Sequence, residues 1–314
     1  MAKAWEIIGL VENQPLKECA RLIIITKFRE AFSYQDLVRT SEDIEVIHNM
    51  RVSLRRLWAA MTTFSHYFNQ KKFFRLSQKT RTLARKLGKV RDLDVLIELL
   101  EKHSKCLEKK PSTTLTISYL VSQWQSERLK HRDKLFKYLE KLAHKEFERK
   151  FLTFFDSITQ NKYKETKKTK NEKKIFLDTL KNFYLHAPKG NFSSESLHQL
   201  RIAAKKLRYS LEFYEICFNQ LLTNYLKTLK EIQELLGDLH DCDVMIELLK
   251  KYLKKITIPL QQELYLGLTE LSNYFSERRT NLLNQFQKLW DIEFENNFRI
   301  ELKSTLFSTS NIIE

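Results

Sequence analysis

Glycine and proline are scarce in this chain, five and four among 314 residues. So few breakers cannot supply the turns of a sandwich or barrel, which excludes turn-rich all-β architectures. The four cysteines, Cys19, Cys106, Cys217 and Cys242, include no CxxC pair. Neither a structural zinc site nor a redox motif is indicated, and buried free thiols in a reducing cytosol are the expectation. Leu22-Ile23-Ile24-Ile25 is far too short to cross a bilayer, which takes about 20 apolar residues. Residues 1–6 lack the charged-then-apolar build of a signal peptide. No membrane insertion is expected, and the location should be cytoplasmic. A P-loop is missing as well.

What the chain does have is positive charge. Its 55 Lys and Arg against 39 Asp and Glu leave a formal net charge of +16. That excess favours anionic partners such as nucleic acid, an acidic membrane surface or a polyphosphorylated ligand. Long apolar-periodic segments between sparse breaks predict an almost wholly helical chain.

Two stretches organise the rest. His48-Asn-Met-Arg51-Val-Ser-Leu-Arg55-Arg56-Leu57 recurs as His198-Gln-Leu-Arg201-Ile-Ala-Ala-Lys205-Lys206-Leu207-Arg208, an offset of 150 residues. On a helix His48, Arg51 and Arg55 fall within about 60° of one another, beside an apolar arc of Met50, Leu54, Leu57 and Met61. In the second copy His198, Arg201, Lys205 and Arg208 share the corresponding face. Arg56 and Lys206 lie about 80° further round, and Trp58 stands where Arg208 would correspond. A second block, Leu87-Gly-Lys-Val-Arg-Asp-Leu-Asp-Val-Leu-Ile-Glu-Leu-Leu100, matches 236–249 at nine of fourteen positions, offset 149. It sets Arg91 against His240, Asp92 against Asp241 and Asp94 against Asp243. Two blocks in one order at one offset mark an internal duplication. The expected fold is all-α, two pseudo-symmetric four-helix bundles. Residues 12–159 form the first half, 160–174 an exposed basic linker and 175–302 the second half.

The cationic rows read either as solvated helix faces or as an anion site. Their single sign, without i,i+4 acidic partners, favours the anion, because like charges so placed repel until one neutralises them. The aspartates either orient an Arg or His through charge-assisted bonds or cap helix segments after Gly88 and Gly237. Each copy alone lacks a metal-binding triad, so no metal is expected. His48 and His198 have no recurring nucleophile or partner base beside them, which makes donation to phosphate oxygen the simpler role.

His-x-x-Arg-x-x-x-(Arg/Lys)-(Arg/Lys)-Leu followed by Leu-Gly-x-x-(Arg/His)-Asp-x-Asp-Val, twice in one chain, resembles the CHAD family (conserved histidine α-helical domain). Leu207-Arg208-Tyr209 fits the same likeness, which covers roughly residues 12–300. The resemblance implies two four-helix bundles with a basic groove or pore between them, binding of inorganic polyphosphate, and association with polyphosphate granules. It carries the binding role to His48, Arg51, Arg55, Arg56, Arg91, His198, Arg201, Lys205, Lys206, Arg208 and His240. Trp58 departs from the frequent Arg, so the first copy should bind more weakly. The Glu-x-Glu-x-Lys signature of the triphosphate-tunnel domain fused to some members is missing, so no hydrolase activity and no cofactor are expected. The alternatives are RNA or DNA binding, and an accessory role in phosphoryl transfer or hydrolysis. Single-strand readers need exposed aromatics beside the cations; Phe73, Phe74, Phe154 and Phe155 read as core, leaving Trp58 and Tyr209.

Overall fold

The computed structural model describes residues 5–10, 14–68, 71–107, 110–159, 170–190, 192–218, 222–257, 261–293 and 297–308. These hold α-helices, one 3-10 turn and no strand. In chain order the helices are α1 (Leu16–Phe32), α2 (Gln35–Thr40), α3 (Ile44–Thr63), α4 (Lys71–Leu107), α5 (Pro111–His144), α6 (Phe147–Thr159), α7 (Lys170–Leu185), α8 (Ser194–Phe218), α9 (Thr223–Leu253), α10 (Gln262–Glu293) and α11 (Phe298–Ser308), with the 3-10 turn at Ser65–Phe68. The fold is all-α. No helix among the described residues is long and apolar enough to cross a membrane.

The chain divides into two compact units, one of 1–105 with 117–175, the other of 106–116 with 176–314. The first holds α1, α3, α4 and all but the start of α5 as its principal helices; the second holds α7 to α10. Burial repeats with the sequence. Met50, Leu54, Leu57 and Met61 of α3 are buried, as are Leu200, Ala204, Leu207 and Leu211, 150 positions on. Leu83, Leu87, Val90 and Leu100 of α4 match buried Ile232, Leu236, Leu239 and Leu249 at offset 149. The first unit adds an aromatic cluster: Phe28 stacks on Phe151 with ring centroids 3.8 Å apart, and Phe32, Phe147 and Phe155 surround them. Burying such rings is the main source of stability for helices of this kind.

Asp43 caps α3 by accepting from the Glu45 N–H, and the Ser41 hydroxyl accepts from the Asp43 N–H. α5 ends at His144, Glu146 adopts φ 50°, and α6 starts afresh at Phe147. Of the expected linker, 160–169 lies outside the described residues, and 170–174 belong to α7. Phe74 is 63% exposed rather than core; Phe73, Phe154 and Phe155 are buried. Cys19 and Cys242 are buried free thiols, and burial pushes the Cys242 thiol up to about 11.

Candidate polyanion-binding faces

In the first unit the apolar stripe of α3 turns His48, Arg51 and Arg55 away from the core, and all three are half-buried. α4 passes through Gly88 without a break, so Asp92 and Asp94 stand in mid-helix and the capping alternative falls. Asp92 accepts from Arg51 at 3.3 Å, and the Arg51 side chain lies over Gly88. Arg91, 8% exposed, pairs with Glu98 at 3.0 Å and reaches Glu45 at 4.0 Å. It also acts on His48. Burial lowers the His48 pKa first, then the Arg91 charge, with Glu45 opposing.

Arg56 turns elsewhere. It lies 3.6 Å from Glu30, a fully buried carboxylate that also accepts from Lys27 at 2.9 Å and Ser53 at 3.0 Å. It therefore shares one carboxylate with Lys27 inside the unit. Trp58 is half-buried, and the Arg81 guanidinium sits over its ring, 5.8 Å from the centroid. The cation missing at 58 is therefore replaced by one reaching in from α4.

In the second unit α8 sets His198, Arg201 and Lys205 on one face, all half-buried, with Lys206 exposed at its edge. His240 of α9 meets His198 with ring centroids 5.0 Å apart. Burial, then the charges of Arg201, His198 and Lys205, push the His240 pKa down to about 4, with only Asp243 opposing. His240 is thus held neutral near pH 7 by burial and by the cations around it. Arg208 lies 3.7 Å from Glu212 and over the Tyr209 ring at 5.2 Å. Glu212 is an i+4 acidic partner of the kind the row was expected to lack. Tyr209 is buried, so it offers no open stacking surface.

The structure also brings in residues the motifs did not include. Asp94, 2% exposed, is bound by Arg128 of α5. Asp243 is bound by Arg279 of α10 at 2.5 Å and accepts from Ser194 at 2.8 Å. Each unit thus ties the helix carrying the second block to the next helix through an Arg–Asp pair. The signal was in the sequence: Ser126-Glu-Arg128 recurs as Ser276-Glu-Arg278 at offset 150. The buried positions, however, repeat at 151, Leu120, Trp124 and Leu135 against Leu271, Phe275 and Phe286, so Arg279 is the true counterpart. Among the described residues no three His, Cys, Asp or Glu converge as metal ligands would.

A model of the CHAD domain matches residues 23–250. The fold is similar to the crystal structure of the CHAD domain from the plant Ricinus communis, with TM-score 0.65 and 21% identity, covering 91% of this chain and 95% of that one. It is also similar to PptA from Streptomyces chartreusis, with TM-score 0.67 and 13% identity over 88% of this chain and 100% of the other. No curated protein matches the sequence.

Proposed function

The chain belongs to the CHAD-domain family, and from that premise we propose that it binds inorganic polyphosphate on the two cationic faces without catalysing its turnover. Association with polyphosphate granules in the cytoplasm follows from such binding. The observation that carries the reading is the cluster of His198, His240, Arg201 and Lys205. Burial, together with the neighbouring charges of Arg201, His198 and Lys205, keeps His240 deprotonated well below its usual range. An incoming polyanion relieves that repulsion, and each phosphate adds acceptor oxygens for Arg and His donors.

The first unit offers a similar face on a shorter leash. The Arg51–Asp92 pair is partly solvated, with side chains 26% and 69% exposed. Such pairs contribute about 0–1 kcal/mol, so phosphate can displace the carboxylate at small cost. Nucleic acid is the competing ligand, but Trp58 is already covered by Arg81 and Tyr209 is buried, which leaves few aromatic faces for bases to stack on.

The test is a competition titration of long polyphosphate, single-stranded RNA and ATP at one fixed salt concentration. Polyphosphate should bind tightest, with affinity falling steeply as salt rises, by analogy with the log–log slope of about −0.7 per phosphate contact in single-stranded nucleic acid. Tighter binding of RNA than of polyphosphate would overturn the reading. Release of phosphate by the purified protein would overturn its non-catalytic part.

A further inference from the structure

We infer that the first unit carries a further binding site for phosphoryl oxyanions, in the cleft between α4 and α5. The cleft holds about 300 Å³ and is lined by Thr82, Arg85, Lys86 and Lys89 of α4 and by His131 and Lys134 of α5. Four fixed positive charges converge there. Its wall is ordered by Tyr138, whose ring lies under the Lys86 ammonium at 5.4 Å and whose hydroxyl donates to the Lys79 carbonyl at 3.4 Å. Among the described residues, the acidic side chain beside this lining is Glu127, 3.6 Å from His131.

The positive field extends along the same side of α4. Burial and the charges of Lys150, Lys145 and Arg75 hold the Lys79 pKa below its ordinary value. Cations brought this close, on helices that would be stable without them, raise the local free energy unless an anion offsets it.

The second unit shows that the repeat does not require this. At offset 149, Thr82, Arg85, Lys86 and Lys89 become Glu231, Glu234, Leu235 and Asp238; at 151, His131 and Lys134 become Leu282 and Gln285. The counterpart surface is acidic, and its own basic neighbours are paired, Lys230 with Glu234 at 3.7 Å and Arg278 with Asp238 at 4.0 Å. Charge has been inverted at one place on an otherwise shared scaffold. A solvated face kept only for solubility would not need opposite signs in the two copies, whereas an anion site used in one copy alone does. Arg85, with its planar fork, suits two oxygens of one phosphoryl group, and the lysines suit its neighbours. The occupant is a short run of phosphoryl groups, supplied either as part of a long chain or as a free oligophosphate.

Lysine acetylation footprinting of the full chain, read by mass spectrometry, tests this. Tripolyphosphate should slow acetylation of Lys86, Lys89 and Lys134 at least three-fold while leaving Lys250 and Lys251, exposed on α9, unchanged. The same protection should persist in Arg201→Gln/Lys205→Gln, since the cleft does not depend on the α8 face. Protection there alongside lost affinity for long polyphosphate supports both sites; retained affinity would count against the α8 face only. Protection by long polyphosphate but not by tripolyphosphate would identify the chain as the source. Lys86→Gln/Lys134→Gln, with helicity intact by circular dichroism, should weaken tripolyphosphate binding at least five-fold. No protection by either ligand, or protection that vanishes in Arg201→Gln/Lys205→Gln, would overturn the inference.

Discussion

On α3 and α4 three of the repeat's cations lie beside carboxylates, Arg51 by Asp92, Arg91 by Glu98 and Glu45, and Arg56 by Glu30, which it shares with Lys27. On α8 and α9 the same positions bring two imidazoles into contact beside Arg201 and Lys205, and His240 is driven neutral. The scaffold beneath differs too, because the Arg–Asp pair is nearly dry in the first unit and partly wet in the second. Side-chain exposures are 12% and 1% for Arg128 and Asp94, but 21% and 19% for Arg279 and Asp243. One inherited framework thus sets Arg91 against carboxylates in one copy and His240 against His198 in the other. The lesson is that a motif repeated in sequence need not repeat its electrostatics, since one exchange within it, Arg91 for His240, changes the charge around the conserved histidine.

The largest effect should come from the scaffold. Asp94→Ala leaves Arg128 buried without its carboxylate and should cost about 3–5 kcal/mol. Asp243→Ala exposes a guanidinium that water can reach and should cost less, about 1.5–3 kcal/mol. Urea unfolding of both variants decides it, and equal losses would break the contrast in burial.

Next comes affinity for long polyphosphate. Arg201→Gln/Lys205→Gln should weaken it by roughly tenfold or more, at about 1.5–3 kcal/mol per charge-assisted contact. Arg51→Gln/Arg55→Gln should cost less, since Arg81 supplies a further cation over Trp58. Equal losses, with helicity unchanged by circular dichroism, would erase the functional difference between the faces. A smaller change in the opposite direction is expected from Asp92→Asn. Releasing Arg51 from its partner should strengthen binding a few-fold, and no gain would mean that the pair does not compete with the ligand.

The smallest effect is in pH. His240 binds a proton only near pH 4 in the free protein, against an ordinary value of 6.5. An anion among His198, Arg201 and Lys205 raises that value, so the complex binds more protons than the free chain between those limits. Affinity should therefore rise as pH falls from 7 towards 5, with proton uptake visible as buffer-dependent heats in calorimetry. His240→Gln should flatten the rise; an unchanged slope would remove His240 from the site. The same depressed value makes folding of the unliganded protein less favourable as pH falls from 6.5 towards 4, because the unfolded chain then binds the proton more readily.

Much of this was legible in residue spacing. The apolar arc of Met50, Leu54, Leu57 and Met61 and the cationic line beside it are properties of a single helix, so the 3.6-residue period was enough to place them. Gly88 was harder. In a helix it costs about 1 kcal/mol relative to Ala, and only packing on both sides of it settles that α4 continues. Arg56 looked equivalent to Lys206 because both follow the basic line by one residue. Its partner Glu30 sits on α1, and no local pattern reports so distant a carboxylate. Arg128 and Arg279 were hidden by register: identity aligned Ser-Glu-Arg at 150, whereas burial aligned the helices at 151. A one-residue shift moves a side chain by about 100° around a helix, which suffices to send the wrong arginine to the aspartate.

The start of α5 carries a further consequence. Cys106–Thr116 belongs by sequence to the first copy and by packing to the second unit, where Thr113 bonds Glu270 and Thr116 lies against Gly267. A β-carbon on residue 267 would collide with the Thr116 side chain and the Ser112 carbonyl. Yet 116 and 267 are the same place in the repeat, 151 residues apart. Descendants of one ancestral segment that press against each other cannot both keep a threonine there. The two positions are therefore coupled: the side chain of Thr116 fills the space that a side chain on residue 267 would need, so neither can change as though it were alone.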